Sequence, residues 1–391
     1  MSSVELNAGH AGPLAGVRVL DLSSVVMGPF ATHILAGLGA DVVKVEPPEG
    51  DIIRHVGPMA NPAMGHIFLH LNRGKRSVVL DLKRAADLAT FKRMIPAFDV
   101  LIFNVRAQAM KRLGLDYASV QGLHPRMIYV SASGYGDKGP YAGRPAYDDL
   151  IQGATGLAWA NQVATAGEPR YVPAMIADRM SGLHAVYCVT AALYSRERSG
   201  IGQQVTVSMY EAMAQSVLGD HLAGRTFEPA QGPAGYSRML TPDRRPYRTK
   251  DGYLCALIYN DGHWTRFFGE IGRNDLAGDP LFASITSRAA RINDVYAFVA
   301  TTLVERSSAE WSTIFDRADI PYSRVNSIDD LVTDPQLLAS ELLGTELHPT
   351  EGLLRTLGQP TSGSGTPLVT ARPAPRLGQH TDEVLAEFAV C

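Results

Sequence analysis

From residue 16 to residue 133 the chain repeats one rhythm: an apolar run of strand length, then an amphipathic run of helix length. This alternation leaves few folds open. A strand that returns parallel to its neighbour needs a crossover, and a helix packed on the sheet supplies it. Gly16-Val-Arg-Val-Leu-Asp-Leu-Ser-Ser-Val25 reads as a buried strand ending in small polar residues. Gly28-Pro29 opens a helix from Phe30 to Leu38, with proline where its missing N–H costs nothing. Gly37-Leu-Gly39 ends it, and residues 40–46 form a second strand that Pro47-Pro48 stops. Asn72-Arg-Gly-Lys-Arg76 predicts a basic turn before a third strand over 77–82. Strands are expected again over 98–105 and 126–133, with helices over 83–96 and 106–113. The predicted class is α/β, a doubly wound sheet in which ligands bind beyond the carboxyl ends of the strands. That rule puts Ser23 to Met27, Glu46 onward, Asn104 to Arg106 and Ser133 to Gly139 at a site.

A long apolar helix pattern, Met180 to Tyr194, precedes a strand over 203–208 and a helix over 209–221. Asp148 or Asp149 is a candidate cap for a helix that follows Arg144-Pro-Ala-Tyr147. Residues 222–246, rich in Gly, Pro and Arg, read as a linker. A hairpin signal over 246–258 turns at Lys250-Asp-Gly252, and helical patterns follow at 263–271, 287–304 and 308–318. The predicted division is 1–200, a linker helix over 201–224, a small α+β domain over 225–325, and a return segment over 326–391. The tail ends in a helix for which Thr381 is a plausible N-cap.

Net charge is −3, which gives no electrostatic case for nucleic acid or an anionic membrane as partner. No apolar run approaches the roughly 18 residues of a membrane helix. The opening MSSVELNAGHAGPLAG lacks the basic and apolar regions of a signal peptide and reads as a disordered lead-in. The three cysteines are far apart, with Cys188 expected in the core and Cys391 exposed at the end. They indicate neither a disulfide framework nor a metal cluster, and a reducing cytoplasm fits them best. No G-x-G-x-x-G follows the first strand, and there is no P-loop, H-E-x-x-H, G-x-S-x-G or C-x-x-C. His66 and His70, at i and i+4, have no local third ligand and read as ordinary histidines.

Two readings stand for Asp178, at the head of the long helix pattern. It could be the N-cap of that helix, since a carboxylate accepts the free N–H groups of a first turn. It could instead be an exposed nucleophile able to form acyl intermediates. The basic residues Arg73, Lys75, Arg76, Arg106 and Arg112 flank strands and together would suit a phosphorylated, adenylate-like ligand.

Several stretches resemble one family, the class III CoA-transferases of the CaiB/BaiF type, related to formyl-CoA transferase and 2-methylacyl-CoA racemase. They are Gly16-Val-Arg-Val-Leu-Asp21, Leu38-Gly-Ala-Asp-Val-Val-Lys-Val-Glu46, Asn72-Arg-Gly-Lys-Arg-Ser77, Arg112-Leu-Gly114 and Arg126-Met-Ile-Tyr-Val-Ser-Ala-Ser-Gly-Tyr-Gly136. Tyr147-Asp148, Asp178 with Gly182, Gly200-Ile-Gly-Gln-Gln-Val205 and Pro375-Arg-Leu-Gly-Gln-His-Thr-Asp-Glu-Val-Leu385 follow in the expected order. The resemblance implies a Rossmann-like large domain from both chain ends, a small domain, and an interlocked homodimer. It implies CoA transfer between an acyl-CoA and a free carboxylic acid, through an aspartyl anhydride and an aspartyl-CoA thioester on Asp178. CoA and acyl-CoA are then substrates, with no tightly bound cofactor and no metal. The CoA and substrate contacts carried over by position are Val25, Val26, Met27, Lys75, Arg76, Asn104, Arg106, Arg112, Tyr147 and Asp148.

The chain departs from some members, with Val26 in place of a glutamine, Pro47 in place of an arginine, and no glycine run between 222 and 262. A racemase of the same fold would carry its histidine where Tyr147 stands, which favours transfer over α-proton exchange. An acyl-CoA binding protein without catalysis is the remaining alternative, and the presence of Asp178 argues against it.

Overall fold

The computed structural model describes residues 12–369 and 371–388. Residues 1–11 of the lead-in and Cys391 lie outside these; its last residues, 12–16, are ordered rather than disordered, the Leu14 N–H donating to the Leu38 carbonyl (2.8 Å). The described residues separate into two compact units, one from those within 12–155, Val172–Ser216 and 335–388, the other from Gly156–Tyr171 and Val217–Asp334.

The first unit is built on a six-stranded sheet. Its strands are β1 (Arg18–Leu22), β2 (Asp41–Glu46), β3 (Lys75–Val79), β4 (Val100–Phe103), β5 (Ile128–Ser133) and β6 (Gln203–Ser208). All pairings are parallel and the order is β3-β2-β1-β4-β5-β6, so the direction of winding reverses between β1 and β4. Val19, Leu20, Val42, Val43 and Val100 to Phe103 are buried, as sheets covered on both faces require.

β3 starts two residues before its predicted start, and this changes the reading of the basic turn. Lys75 and Arg76 are strand residues, in register with Val42 and Val43. They are held there by partners far away in sequence. The Lys75 ammonium donates to Asp21 (3.1 Å), the Pro29 carbonyl (3.0 Å) and Asn72 (2.8 Å). Arg76 pairs with Asp41, Glu383 and Glu387. The last two acids belong to the helix Thr381–Phe388, which packs beside β3. Thr381 is its first residue rather than its cap, and its hydroxyl donates to the Gly378 carbonyl while accepting the Val79 N–H. The terminal motif is thus a clasp on the edge of the sheet, with Ser77 and His380 bonded to each other twice.

A helix capped by Asp116, Tyr117–Leu123, and a hairpin, Leu343–His348 with Gly352–Leu357, complete the main elements of this unit. Cys188, expected in the core, is half-buried on the helix Ile176–Ser199.

The second unit is α+β. Strands Tyr247–Arg248, Tyr253–Ala256 and Tyr322–Arg324 form an antiparallel sheet. Helices Asp261–Glu270, Ile292–Leu303 and Ser308–Ala318 bury Trp264, Phe267, Phe268, Trp311 and Phe315 in one aromatic core. The pattern over 287–304 breaks at Arg291 into two helices. Arg244, Arg245 and Arg248 are exposed.

Candidate active site

Asp178 is neither a cap nor freely exposed. The helix Ile176–Ser199 begins two residues before it, with Met175 at the N-cap and no side-chain cap. Its free first-turn N–H is met from another helix. The buried Asp148 carboxylate accepts the Asp178 N–H through one oxygen (2.9 Å) and the Gln152 amide through the other (2.7 Å). Gln152 is fixed in turn, accepting the Val172 N–H (2.8 Å) and donating to the Ala174 carbonyl (3.2 Å). Asp148 is thus a cap across space. It does not cap its own helix, Asp148–Ala154, where Tyr147 holds the N-cap position.

This arrangement puts two carboxylates close together. Burial, and then the charge of Asp148, push the Asp178 carboxyl up to about 7. The Met27 backbone N–H, at the start of the helix Met27–Gly37, points toward the carboxylate and offsets part of this, as does Arg179. The helix start favours the ionised form of Asp178 but does not outweigh these two effects. The dipole effect is worth about 0.3–1 kcal/mol in exposed positions, too little against burial beside a second acid.

Three features hold Met27 beside Asp178. Gly182 lies one turn beyond Asp178 on the same helix face. A Cβ there would stand 2.8 Å from Phe30 Cδ1 and 2.9 Å from the Met27 carbonyl oxygen, so only glycine allows this approach of the two helices. Before Met27, Val25 takes φ +68°, a conformation that costs a β-branched residue on the order of 1–3 kcal/mol. The loop is clamped in that shape. Asp51 accepts the Val25 N–H (3.0 Å), and Asn104 both accepts the Ser24 N–H (3.0 Å) and donates to the Ser24 carbonyl (2.7 Å). Lys44, fully buried, donates to the Ser23 carbonyl (2.7 Å) and to Asp51 (2.9 Å).

Beyond the carboxyl ends of β1, β4 and β5, where the winding reverses, lies a cavity of about 310 Å³. It brings together Val25, Asn104, Arg106 and Tyr147 from the sequence-based set. It also includes Arg144, which that reading passed over as loop, with its guanidinium 4.6 Å from the Tyr141 ring centroid. Arg106 and Arg144 are exposed and, among the described residues, neither pairs with a carboxylate. The signal for Arg144 was its place after the Ser133–Gly139 segment, but only the folded loop turns it into the cavity.

Other carried-over contacts fall elsewhere. Val26 is 1% exposed and Met27 2%, so neither side chain is open to a ligand. Lys75 is buried and saturated by Asp21, and Arg76 is committed to three acids, so neither is a free phosphate ligand. Arg73 likewise pairs with Glu346 (2.8 Å). Arg112 is exposed at the end of the helix Ala107–Arg112, outside the residues that line the cavity. For Arg73, Lys75 and Arg76 the cause is shared: a basic cluster in sequence shows charge but not which carboxylates fold against it.

Among the described residues no group of three or more His, Cys, Asp or Glu is arranged to hold a metal ion. His66 and His70 sit on the short helix His66–Leu71. No helix among the described residues is long and apolar enough to cross a membrane.

The same chain matches known proteins over nearly its whole length. The family model described as CoA-transferase family III covers residues 14–381. The succinate–glutarate CoA-transferase of Agrobacterium fabrum is 33% identical over 96% of both chains. The acetyl-CoA:oxalate CoA-transferase of Acetobacter aceti is 31% identical, over 97% of this chain and 96% of that one. A crystal structure of a CAIB/BAIF family protein from Brucella suis has a TM-score of 0.80 at 28% identity, over 97% of this chain and all of that one. The chain belongs to CoA-transferase family III.

Proposed function

We propose that Asp178 is the nucleophile of a reversible transfer of CoA between an acyl-CoA and a free carboxylic acid. A half-buried carboxylate at a helix start, fixed beside Asp148 and facing the Met27 N–H, is the observation that carries this. An Asp178 carboxylate oxygen attacks the thioester carbonyl carbon, the carbon–sulfur bond breaks, and CoA leaves as thiolate. The product is a mixed anhydride. The thiolate then attacks the aspartyl carbonyl, expelling the donor acid as its carboxylate and leaving an aspartyl-CoA thioester. The acceptor carboxylate enters by the reverse of these steps, and Asp178 is regenerated. Holding thiolate and anhydride together is worth on the order of 7–11 kcal/mol of barrier.

The raised value at Asp178 suits this role better than a permanently ionised acid. A carboxylate of higher basicity is a stronger nucleophile, and near neutral pH a large share of it is still ionised. The Met27 N–H is placed to stabilise negative charge at the reacting oxygens. Arg106 and Arg144, on the cavity beyond β1, β4 and β5, are the basic residues offered to the phosphates of CoA. The reading includes the small unit as a separate domain, an interlocked homodimer and a cytoplasmic setting. Cys188 and Cys255 are unpaired, in keeping with the last.

The test is exchange between succinyl-CoA and labelled glutarate or oxalate, the acids in the relatives' names, for wild type and Asp178→Ala. Mass spectrometry of the quenched reaction should find CoA attached to the Asp178 peptide. Exchange at the wild-type rate by Asp178→Ala would refute the assignment.

A further inference from the structure

We propose that the second unit carries a binding site for a small apolar monocarboxylate, with Arg238 as its anion partner. A cavity of about 120 Å³ lies within this unit, and no residue of the Asp178 site lines it. Its floor is largely apolar, and the one polar atom there left without a hydrogen-bond partner among the described residues is the buried Trp264 indole N–H. Trp264, Val295 and Val299 are 3–4% exposed. Its rim includes Tyr259 and Ile285, 46% and 53% exposed, so a solute can enter.

Arg238 is half-buried in the wall. Its Nε donates to the Tyr296 hydroxyl (3.2 Å), and its guanidinium lies over the Tyr259 ring at 5.3 Å. The tyrosines fix the plane of the guanidinium without neutralising it. Among the described residues no carboxylate pairs with Arg238. The other arginine of the cavity is already used: Arg288 donates to Asp261 (2.6 Å) and to the Phe282 carbonyl (2.8 Å). A fork of oriented donors with no counter-charge, above an apolar floor, matches a carboxylate attached to an apolar body.

Size and polarity narrow the class. The cavity is smaller than an engineered protein cavity of about 150 Å³ that takes benzene, so it holds at most one small ring or a short branched chain, with the carboxylate outside the apolar floor at Arg238. A nucleotide is too large. A dicarboxylate would bring a second charge into a lining that offers it the neutral Trp264 N–H and an Arg288 already paired with Asp261, too little to offset its desolvation. Benzoate is the simplest probe. The inference stands apart from the transfer reading and does not rest on it.

Calorimetric titration of the full chain with benzoate tests it. One saturable site per chain is expected, with affinity at least about tenfold weaker in Arg238→Gln and for neutral benzyl alcohol, the loss of one charged pair. Ile292→Trp, which fills the cavity and leaves Arg238 in place, should abolish binding. Asp178→Ala should bind benzoate as wild type does, whatever becomes of its transfer activity. The proposal is overturned if no saturable binding is seen, if Arg238→Gln or Ile292→Trp keeps full affinity, or if Asp178→Ala loses it.

Discussion

Replacing Asp178 by asparagine is expected to abolish CoA transfer and, at alkaline pH, to make the protein more stable. Burial and Asp148 hold this carboxyl at about 7, against an ordinary value of 3.8. In the unfolded chain it ionises near the ordinary value. Between those two values the folded protein keeps a proton that the unfolded chain releases, so stability falls as pH rises through the interval and levels off above it. An interval of about three pH units, at about 1.36 kcal/mol each, sets a ceiling of about 4 kcal/mol. The carboxyl is half-buried, so solvent screening brings the expected effect to about 2 kcal/mol. Asparagine has nearly the same volume, still offers an oxygen toward the Met27 N–H, and carries no charge at any pH. Asp178→Asn should therefore be more stable by about 2 kcal/mol near pH 8, with the gain shrinking below pH 7 and gone by about pH 4. Urea denaturation of both proteins across that range is the assay. A variant no more stable at alkaline pH, or one whose gain does not change with pH, would refute the reasoning.

The same carboxylate pair should shape the kinetics. Wild-type kcat/KM is expected to fall about tenfold per pH unit on the acid side of about 7. Asp148→Asn removes the neighbouring charge and should move that acid limb to lower pH, so an unmoved limb would mean Asp148 does not tune Asp178. Gly182→Ala forces a methyl against Phe30 and the Met27 carbonyl. It should lower kcat at least about tenfold at a stability cost of only about 1–3 kcal/mol, and a normal turnover number would show that the helix approach is not needed. Asp51→Ala strips Lys44 and the Val25 N–H of a buried partner. It should cost about 3 kcal/mol or more by urea denaturation, and a loss under about 1 kcal/mol would show that the clamp is not needed to hold the loop.

Much of the first unit was legible from local pattern. Apolar runs such as Val42-Val43 and Val100 to Phe103 gave strands, because a sheet covered on both faces selects continuous apolar residues. Of the four segments expected beyond strand ends, those after β1, β4 and β5 line the cavity, because the winding reverses between β1 and β4, whereas Glu46, after β2, is buried and paired with Arg54. What misled was charge. Lys75 and Arg76 look like a turn until Asp21, Asp41, Glu383 and Glu387 are brought against them from up to 311 residues away. Arg144 had only its place in the loop after β5 to mark it and Arg238 had no pattern, since a basic residue without a carboxylate partner is defined by what surrounds it.

Asp178 divides along the same line. The sequence by itself determined that a carboxylate stands near the start of a long helix, within a chain of alternating strands and helices, in an order matched by one family. Residue identity and spacing are properties of the chain, and they survive without coordinates. Only the tertiary structure decided what that carboxylate is. Asp148, 30 residues away, takes its backbone N–H, and Met27, on another helix, faces its oxygens. An ionisation state depends on the medium and charges within a few ångströms, and it is folding that chooses those neighbours.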